Sequence, residues 1–382
     1  MFYRLIFIKN QNMNSHILAS KWRPYSFNDV IGQDHVIQAI KHSLFTKKIH
    51  PAWILSGSRG VGKTTIARIF AMGLSCLQDI TSNPCGYCEN CISIKKNSFL
   101  DLIELDSASK TKVEDIREIL EIIYYPPIKG RYKIYIFDEF HMLSKHSFNA
   151  LLKIIEEPPK YIKFIFATTE LQKIPSTILS RCIQFHLKLI NENIIFNQIK
   201  NILNKENFKY DEKALKILSI AAYGSMRDAL NLTDQLISMG KLTIENINLM
   251  LGLIKKKYLF SLIQCFKTQK YNIIFNLINK ISTFNVNWDN IITEIMTLLH
   301  HILKIKILNN NFGNFLINSN FTKNEILFYK EILYEFSEIE LKFLYNILNT
   351  GKKNLYLSPN PKIGFEMIIL EIIIYFKNKN KI

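Results

Sequence analysis

The sequence predicts a parallel α/β domain followed by two helical domains, and three observations carry that prediction. Between about Ala52 and Phe185, short apolar runs alternate with stretches whose apolar residues recur every three or four positions, the pattern of a parallel sheet covered by helices. Beyond about Leu189 the strand pattern stops and helical periodicity continues. A chain of 382 residues also has room for two or three separate cores.

The strands read, in order, as Ala52 to Leu55, Leu100 to Leu105, Lys133 to Phe137, Phe164 to Ala167 and Ile183 to Phe185, each of a length that suits a buried central strand. Helices fall at Thr65 to Ala71, Val113 to Ile123, Ser144 to Ile155 and Pro175 to Leu179. A small helical domain follows, with helices at Glu192 to Lys205, Asp211 to Tyr223, Arg227 to Met239 and Ile244 to Leu251, punctuated by Gly224 and Gly240. Lys255-Lys256-Lys257 reads as a junction. The remainder reads as a third, all-helical domain with turns near Asn309-Asn310-Asn311, Asn318-Ser319-Asn320 and Ser358-Pro359-Asn360-Pro361. No internal repeat is visible.

The first strand enters Gly57-Ser58-Arg59-Gly60-Val61-Gly62-Lys63-Thr64, the pattern G-x-x-x-x-G-K-[ST]. Such a loop aims backbone N–H groups at phosphate oxygens, sets the lysine on the β- and γ-phosphates and turns the hydroxyl toward Mg²⁺. The helix that follows adds the positive end of its dipole. These residues and Thr65 are therefore the expected nucleotide contacts. The strand Lys133 to Phe137 ends in Asp138-Glu139. There Asp138 would hold the Mg²⁺ shell and Glu139 would polarise the attacking water, although a strand ending in a solvated acidic turn has the same appearance. The next strand ends in Ala167-Thr168-Thr169-Glu170, where a polar side chain could reach the γ-phosphate, although spacing alone does not show it. Arg181, in Leu179-Ser180-Arg181-Cys182, and Arg227, in Gly224-Ser225-Met226-Arg227-Asp228, could each meet developing phosphoryl charge. Chemistry alone reads either more readily as a surface ion pair.

Cys76, Cys85, Cys88 and Cys91 fall within sixteen residues as C-x8-C-x2-C-x2-C. Four thiolates can close a tetrahedral shell, so a structural Zn²⁺ is the expectation, with Pro84, Gly86 and Tyr87 making the turns. An Fe–S cluster is the competing occupant. Cys182 and Cys265 stand alone and read as buried thiols.

The formal charge of +17 fits a polyanionic partner such as a nucleic-acid backbone. Lys, Asn and Ile crowd the whole chain, however, and compositional drift explains the charge about equally well. Ser107-Ala108-Ser109-Lys110-Thr111-Lys112 could track duplex phosphates or be a solvated turn. The best candidate for a membrane span, Ile363 to Phe376, is broken by Glu366 and Glu371, so no membrane association is expected. The opening Met1 to Ile8 lacks a following cleavage site, which argues against a secretory signal.

Taken together the motifs resemble the gamma/tau subunit family of the bacterial DNA polymerase III clamp loader, a branch of the AAA+ proteins. The residues that carry the resemblance are Lys21-Trp22-Arg23-Pro24, Phe27-Asn28-Asp29-Val30-Ile31-Gly32-Gln33, the cysteine insertion, Asp138-Glu139-Phe140-His141-Met142-Leu143-Ser144, Phe148 to Lys153 and Glu156-Glu157-Pro158-Pro159. The resemblance implies an α/β AAA+ P-loop ATPase domain over 1–190 with a zinc module at 76–91, a helical lid over 191–254 and an all-α oligomerisation collar over 255–382. It also implies roles: Lys63 and Glu139 catalytic, Thr169 the sensor of the γ-phosphate, Arg181 a finger inserted into the neighbouring subunit's site, Arg227 a sensor on the lid. The segment from Lys21 would pack on adenine and ribose.

The implied cofactors are ATP, Mg²⁺ and Zn²⁺. The implied partners are the delta and delta-prime subunits, further copies of the chain, the beta sliding clamp, primed DNA bound without sequence preference, and the polymerase III holoenzyme, all in a bacterial cytoplasm. Polymerase chemistry would belong to the holoenzyme, since no polymerase carboxylate pattern is evident. Two departures stand out: the family pattern begins near Met13, so residues 1–12 are extra, and the length to Ile382 matches the shorter gamma form. The rival readings are a AAA+ DNA motor such as a Holliday-junction helicase, and a clamp-loader subunit that binds without hydrolysing.

Overall fold

A computed structural model describes residues 17–108, 121–252, 254, 256–268, 270–284, 286–307 and 323–379. The expected helix from Val113, apart from its last residues, lies outside them, as do residues 109–112 of the basic turn, residues 1–16, Lys255 and the turns near Asn309 and Asn318. The chain forms two compact units, one ending at Leu242 and the other beginning at Thr243.

The first unit is built on five parallel strands: β1 Ala52–Ser56, β2 Leu102–Asp106, β3 Lys133–Asp138, β4 Ile162–Thr168 and β5 Ile183–His186, in the order β2-β3-β4-β1-β5. All five expected strands are present. β2 starts later than expected because Phe99 to Asp101 is a turn, in which Leu102 N–H bonds to Phe99 O and the buried Asp101 carboxylate takes the N–H groups of Ile128, Lys129 and Gly130.

β1, β3 and β4 are buried along nearly their whole length, and their side chains divide between two layers. Trp53 and Leu55 pack with Ile134, Ile136 and Ile165 against Ile66, Ile69 and Phe70 of helix α1 (Lys63–Ser75). Ala52 and Ile54 join Tyr135, Phe137, Phe164 and Phe166 against Phe148, Leu151 and Ile155 of helix α3 (Lys145–Glu156) on the other face. Between these helices in the sequence comes α2, Glu89–Lys95, a short helix that periodicity did not disclose. Trp53 is gripped between Phe70, edge-on with ring centroids 4.8 Å apart, and Phe185, stacked at 5.6 Å. Each aromatic so buried contributes about 2 kcal/mol.

Helices α4 (Glu192–Lys205), α5 (Glu212–Ala221) and α6 (Met226–Ser238) complete this unit; Asn191, Asp211 and Ser225 cap them by accepting backbone N–H bonds. The stretch Leu18 to Trp22 is tied to these helices. Leu18 packs with Ile202 and Leu230, its N–H bonds to Asp234 at 2.7 Å, and Trp22 donates its indole N–H to Glu206 at 2.8 Å. The second unit is all helical among the described residues, from Ile244–Leu251 to Pro361–Lys379, around its own apolar core. No helix among the described residues is long and apolar enough to cross a membrane.

Candidate nucleotide and metal sites

The strand order places β4 between β1 and β3, so the loops leaving these three strands converge at one rim of the sheet. The loop after β1 is Gly57 to Gly62. Its bends need glycine: Gly57 has φ +145°, and a Cβ there would stand 2.6 Å from Leu187 O. Gly62, at φ +105°, immediately precedes α1, so Lys63 opens the helix and the loop's amides lie at its positive end. Ser58 and Arg59 are exposed. Val61 is buried in the core, which leaves only its backbone to face a phosphate.

Lys63 Nζ donates to Gly57 O at 2.8 Å and Ser58 O at 2.9 Å, curling into its own loop. Burial depresses its pKa, while the charges of Glu139 and Asp138 work against that depression. Thr64 Oγ1 donates to Asp138 Oδ2 at 2.8 Å. That hydroxyl and carboxylate, 74 positions apart in sequence, are hard-oxygen groups of the kind that could hold Mg²⁺. Asp138 Oδ1 accepts the N–H of Glu139, whose backbone is left-handed at φ +47°. Thr169 Oγ1, at the end of β4, donates to Glu139 Oε2 at 3.0 Å. Lys63, Thr64, Asp138, Glu139 and Thr169 thus meet in one place.

Arg227 enters from helix α6. Its N–H lies 3.5 Å from Gly60 O, and a Cβ on Gly60 would fall 2.0 Å from Ser225 Oγ. Thr65 receives Arg23 Nε at 3.3 Å. Burial, then the nearby Arg68, lowers the Arg23 pKa, although a guanidinium stays charged. The segment docked on α4 and α6 therefore also touches the first turn of α1.

Arg181 is not part of this cluster. It lies two residues before β5, at the rim opposite the one where β1 delivers its glycine loop. The strand between the rims spans about 13 Å. There it pairs with Glu156 at 2.7 Å and donates to Thr177 O at 2.6 Å.

Cys76, Cys85, Cys88 and Cys91 gather with all sulfurs within 4.8 Å of one another. A tetrahedral zinc with Zn–S near 2.3 Å needs sulfurs about 3.8 Å apart, and the Cys85–Cys91 separation is 3.9 Å. Cys76 directly follows α1 as its C-cap, and Cys91 sits on α2. The N–H of Cys88 points at Cys85 Sγ and that of Cys91 at Cys88 Sγ, both at 3.4 Å. Burial opposes ionisation of Cys85, but the N–H groups of Cys88 and Tyr87 outweigh it and bring the thiol to about 6. Burial pushes the Cys91 thiol the other way, up, so it is the spacing of the four sulfurs that fits a tetrahedral metal. Cys182 is the isolated thiol expected, pushed by burial up to about 12.

Two contributors carry no signature of their own in the sequence. Ser225 fills the space left by Gly60, and His141, with its side chain only 6 % exposed, reaches Thr168 Oγ1 at 3.1 Å. The only sequence signal for His141 was its place in the run from Asp138.

Residues 32–191 match the family described as DNA polymerase III, delta subunit. Residues 194–242 match the DNA polymerase III clamp loader subunit, ATPase lid domain, and residues 242–381 match DNA polymerase III subunits gamma and tau domain III. The DNA polymerase III subunit gamma of Buchnera aphidicola from Schizaphis graminum is 49% identical over 96% of this chain and 100% of its own length. The DNA polymerase III subunit tau of Escherichia coli is 42% identical over 95% of this chain and 56% of its own. A solved structure of the Thermotoga maritima RuvB Holliday junction branch migration motor is similar at TM-score 0.46 and 18% identity, covering 70% of this chain and 86% of that one. A likeness so distant bears on no functional conclusion.

Proposed function

Since the chain belongs to the gamma/tau family of DNA polymerase III subunits, we propose that it is the ATP-hydrolysing subunit of a clamp loader, which opens the beta sliding clamp and loads it onto primed DNA. The observation that carries the reading is the Thr64–Asp138 contact with Glu139 and Thr169 beside it, a divalent-metal, water and γ-phosphate constellation at the mouth of a phosphate-binding loop. ATP·Mg²⁺ would lie along Gly57 to Thr65, with Lys63 turning outward from its loop carbonyls onto the β- and γ-phosphates and Thr64 and Asp138 toward the metal. Glu139 would orient the attacking water, Thr169 would sense the γ-phosphate and Arg227 would bring the lid to the nucleotide.

Arg181, at the end of β5 away from this chain's own phosphate loop, would act as a finger given in trans, and that position supports the role. The reading therefore includes further copies of the chain and delta and delta-prime subunits, acting within the polymerase III holoenzyme. The cysteine cage would hold one structural Zn²⁺. The division into an ATPase domain (1–190), a lid (191–254) and an all-α oligomerising domain (255–382) belongs to the same proposal.

Energetically, ATP must favour the clamp-binding conformation over its alternative, and hydrolysis must remove that preference so that the closed clamp is released. Lys63→Ala tests the reading: it should abolish ATP binding and clamp loading. Loading at the wild-type rate would sink it. ATP-dependent strand displacement by the purified chain would favour the motor reading instead.

A further inference from the structure

We infer that His141 is a positioning residue for hydrolysis, holding one oxygen of Glu139 so that the other faces the attacking water; the inference rests on the ATPase reading above. The imidazole follows the left-handed turn at Glu139 and lies almost wholly buried, its side chain 6 % exposed. Three polar groups surround it. Nδ1 stands 3.1 Å from Thr168 Oγ1 and 3.5 Å from Glu139 Oε2, while Nε2 stands 3.5 Å from Glu170 Oε1. Thr168 Oγ1 is itself fixed, because it accepts the N–H of Glu170 at 3.1 Å.

A polar ring buried to this degree is held by its partners or is costly. Here the partners all belong to the end of β4 or to the catalytic carboxylate. Thr169 Oγ1 contacts the same oxygen, Oε2, at 3.0 Å. Thr169 hydrogen-bonds Oε2 and the imidazole, itself bonded to Thr168, stands on the same side of the carboxylate, which leaves Oε1 as the atom presented to water. The ring also ties the strand that carries Thr169 to the turn that carries Glu139. A shift of Thr169 on meeting a γ-phosphate would be passed to Glu139 through Thr168 and His141.

The test uses the full chain assembled with its loader subunits, clamp and primed DNA, following ATP hydrolysis and, separately, the binding of a fluorescent ATP analogue. His141→Leu keeps bulk and removes both nitrogens. It should lower kcat about 10- to 100-fold, the usual loss when an outer partner of a catalytic group is removed, with KM and analogue affinity within about threefold of wild type. His141→Asn returns a polar group near Nδ1 and should recover kcat to within about threefold of wild type. Thr168→Val, which removes the ring's anchor and leaves His141 in place, should lose kcat in the same way.

Wild-type kcat in His141→Leu would overturn the inference. So would equal loss in His141→Leu and His141→Asn, or a rise in KM at constant kcat. Absence of hydrolysis by the wild-type assembly would instead remove the ATPase reading, and this inference with it.

Discussion

Replacing Gly60 with alanine puts the joint between the phosphate loop and helix α6 under direct load. Gly60 has φ +77°, and the added Cβ would stand 2.0 Å from Ser225 Oγ and 3.2 Å from Arg227 Cβ. Holding a non-glycine residue left-handed costs about 1–2 kcal/mol. Moving Ser225 aside breaks the bond its Oγ accepts from Asp228 N–H, an N-cap contribution of about 1 kcal/mol. The arrangement with the lid against the loop therefore loses about 2–3 kcal/mol, and if nucleotide binds that arrangement, affinity falls about 30- to 150-fold.

Titration with a fluorescent ATP analogue reads this loss. A second variant separates the steric term from simple weakening of the loop. Because Gly60→Ala already forfeits the Ser225 cap, Gly60→Ala/Ser225→Ala should bind no worse than Gly60→Ala alone. Wild-type affinity in Gly60→Ala, or costs that simply add in the double variant, would refute the contact between loop and lid as the cause.

Three further outcomes follow from the same geometry. The Asp234 carboxyl has its pKa raised by burial, against the Leu18 N–H that favours the charged form, so the folded state holds its proton to higher pH than the unfolded chain. Its contribution to stability therefore falls as pH rises from the ordinary aspartate range through that raised value. Asp234→Asn, which still accepts the Leu18 N–H, should gain in melting temperature over wild type more at pH 7 than at pH 4, and Asp234→Ala, which leaves that N–H without its acceptor, should lie about 1 kcal/mol below Asp234→Asn at both; equal differences from wild type at the two pH values for Asn would contradict this. Elemental analysis of the purified chain should find one zinc, lost in Cys88→Ser together with melting temperature. Iron and acid-labile sulfide in its place would show that the cage holds a cluster. Arg181→Ala should bind ATP as wild type does yet hydrolyse it about a thousandfold more slowly in the assembled loader. Unchanged hydrolysis there would remove the finger role.

How much of this was legible in the sequence depended on whether a local rule decided the matter. β1, β3 and β4 could be read because a buried parallel strand is an unbroken apolar run, and Gly57 to Thr64 because phosphate binding needs glycine at fixed places. The four cysteines were legible as a set by spacing alone, and the sulfurs do gather. Helix α2 was hidden because its seven residues serve the cage, with Cys88 capping its start and Cys91 buried, so no amphipathic period forms.

The start of β2 was misplaced because Leu100 continues the apolar run, while Asp101 is diverted to hold the turn at Ile128 to Gly130. Contacts at long separation had no local signature. Ser225 against Gly60, Asp234 on Leu18 and Thr64 on Asp138 are products of topology, as is the far rim that Arg181 occupies. His141 stood in a recognised run, but its partners on β4 could be known only from the fold.

In the proposed reading, one loop and one carboxylate pair convert ATP into work on a clamp. The most direct measurement is the ATPase rate of the chain assembled with delta and delta-prime subunits, with and without clamp and primed DNA, beside the same assembly carrying Lys63→Ala. Hydrolysis should be stimulated jointly by clamp and DNA in the wild-type assembly and should not rise above background in the variant. Hydrolysis indifferent to clamp and DNA, or unchanged by Lys63→Ala, would contradict that reading.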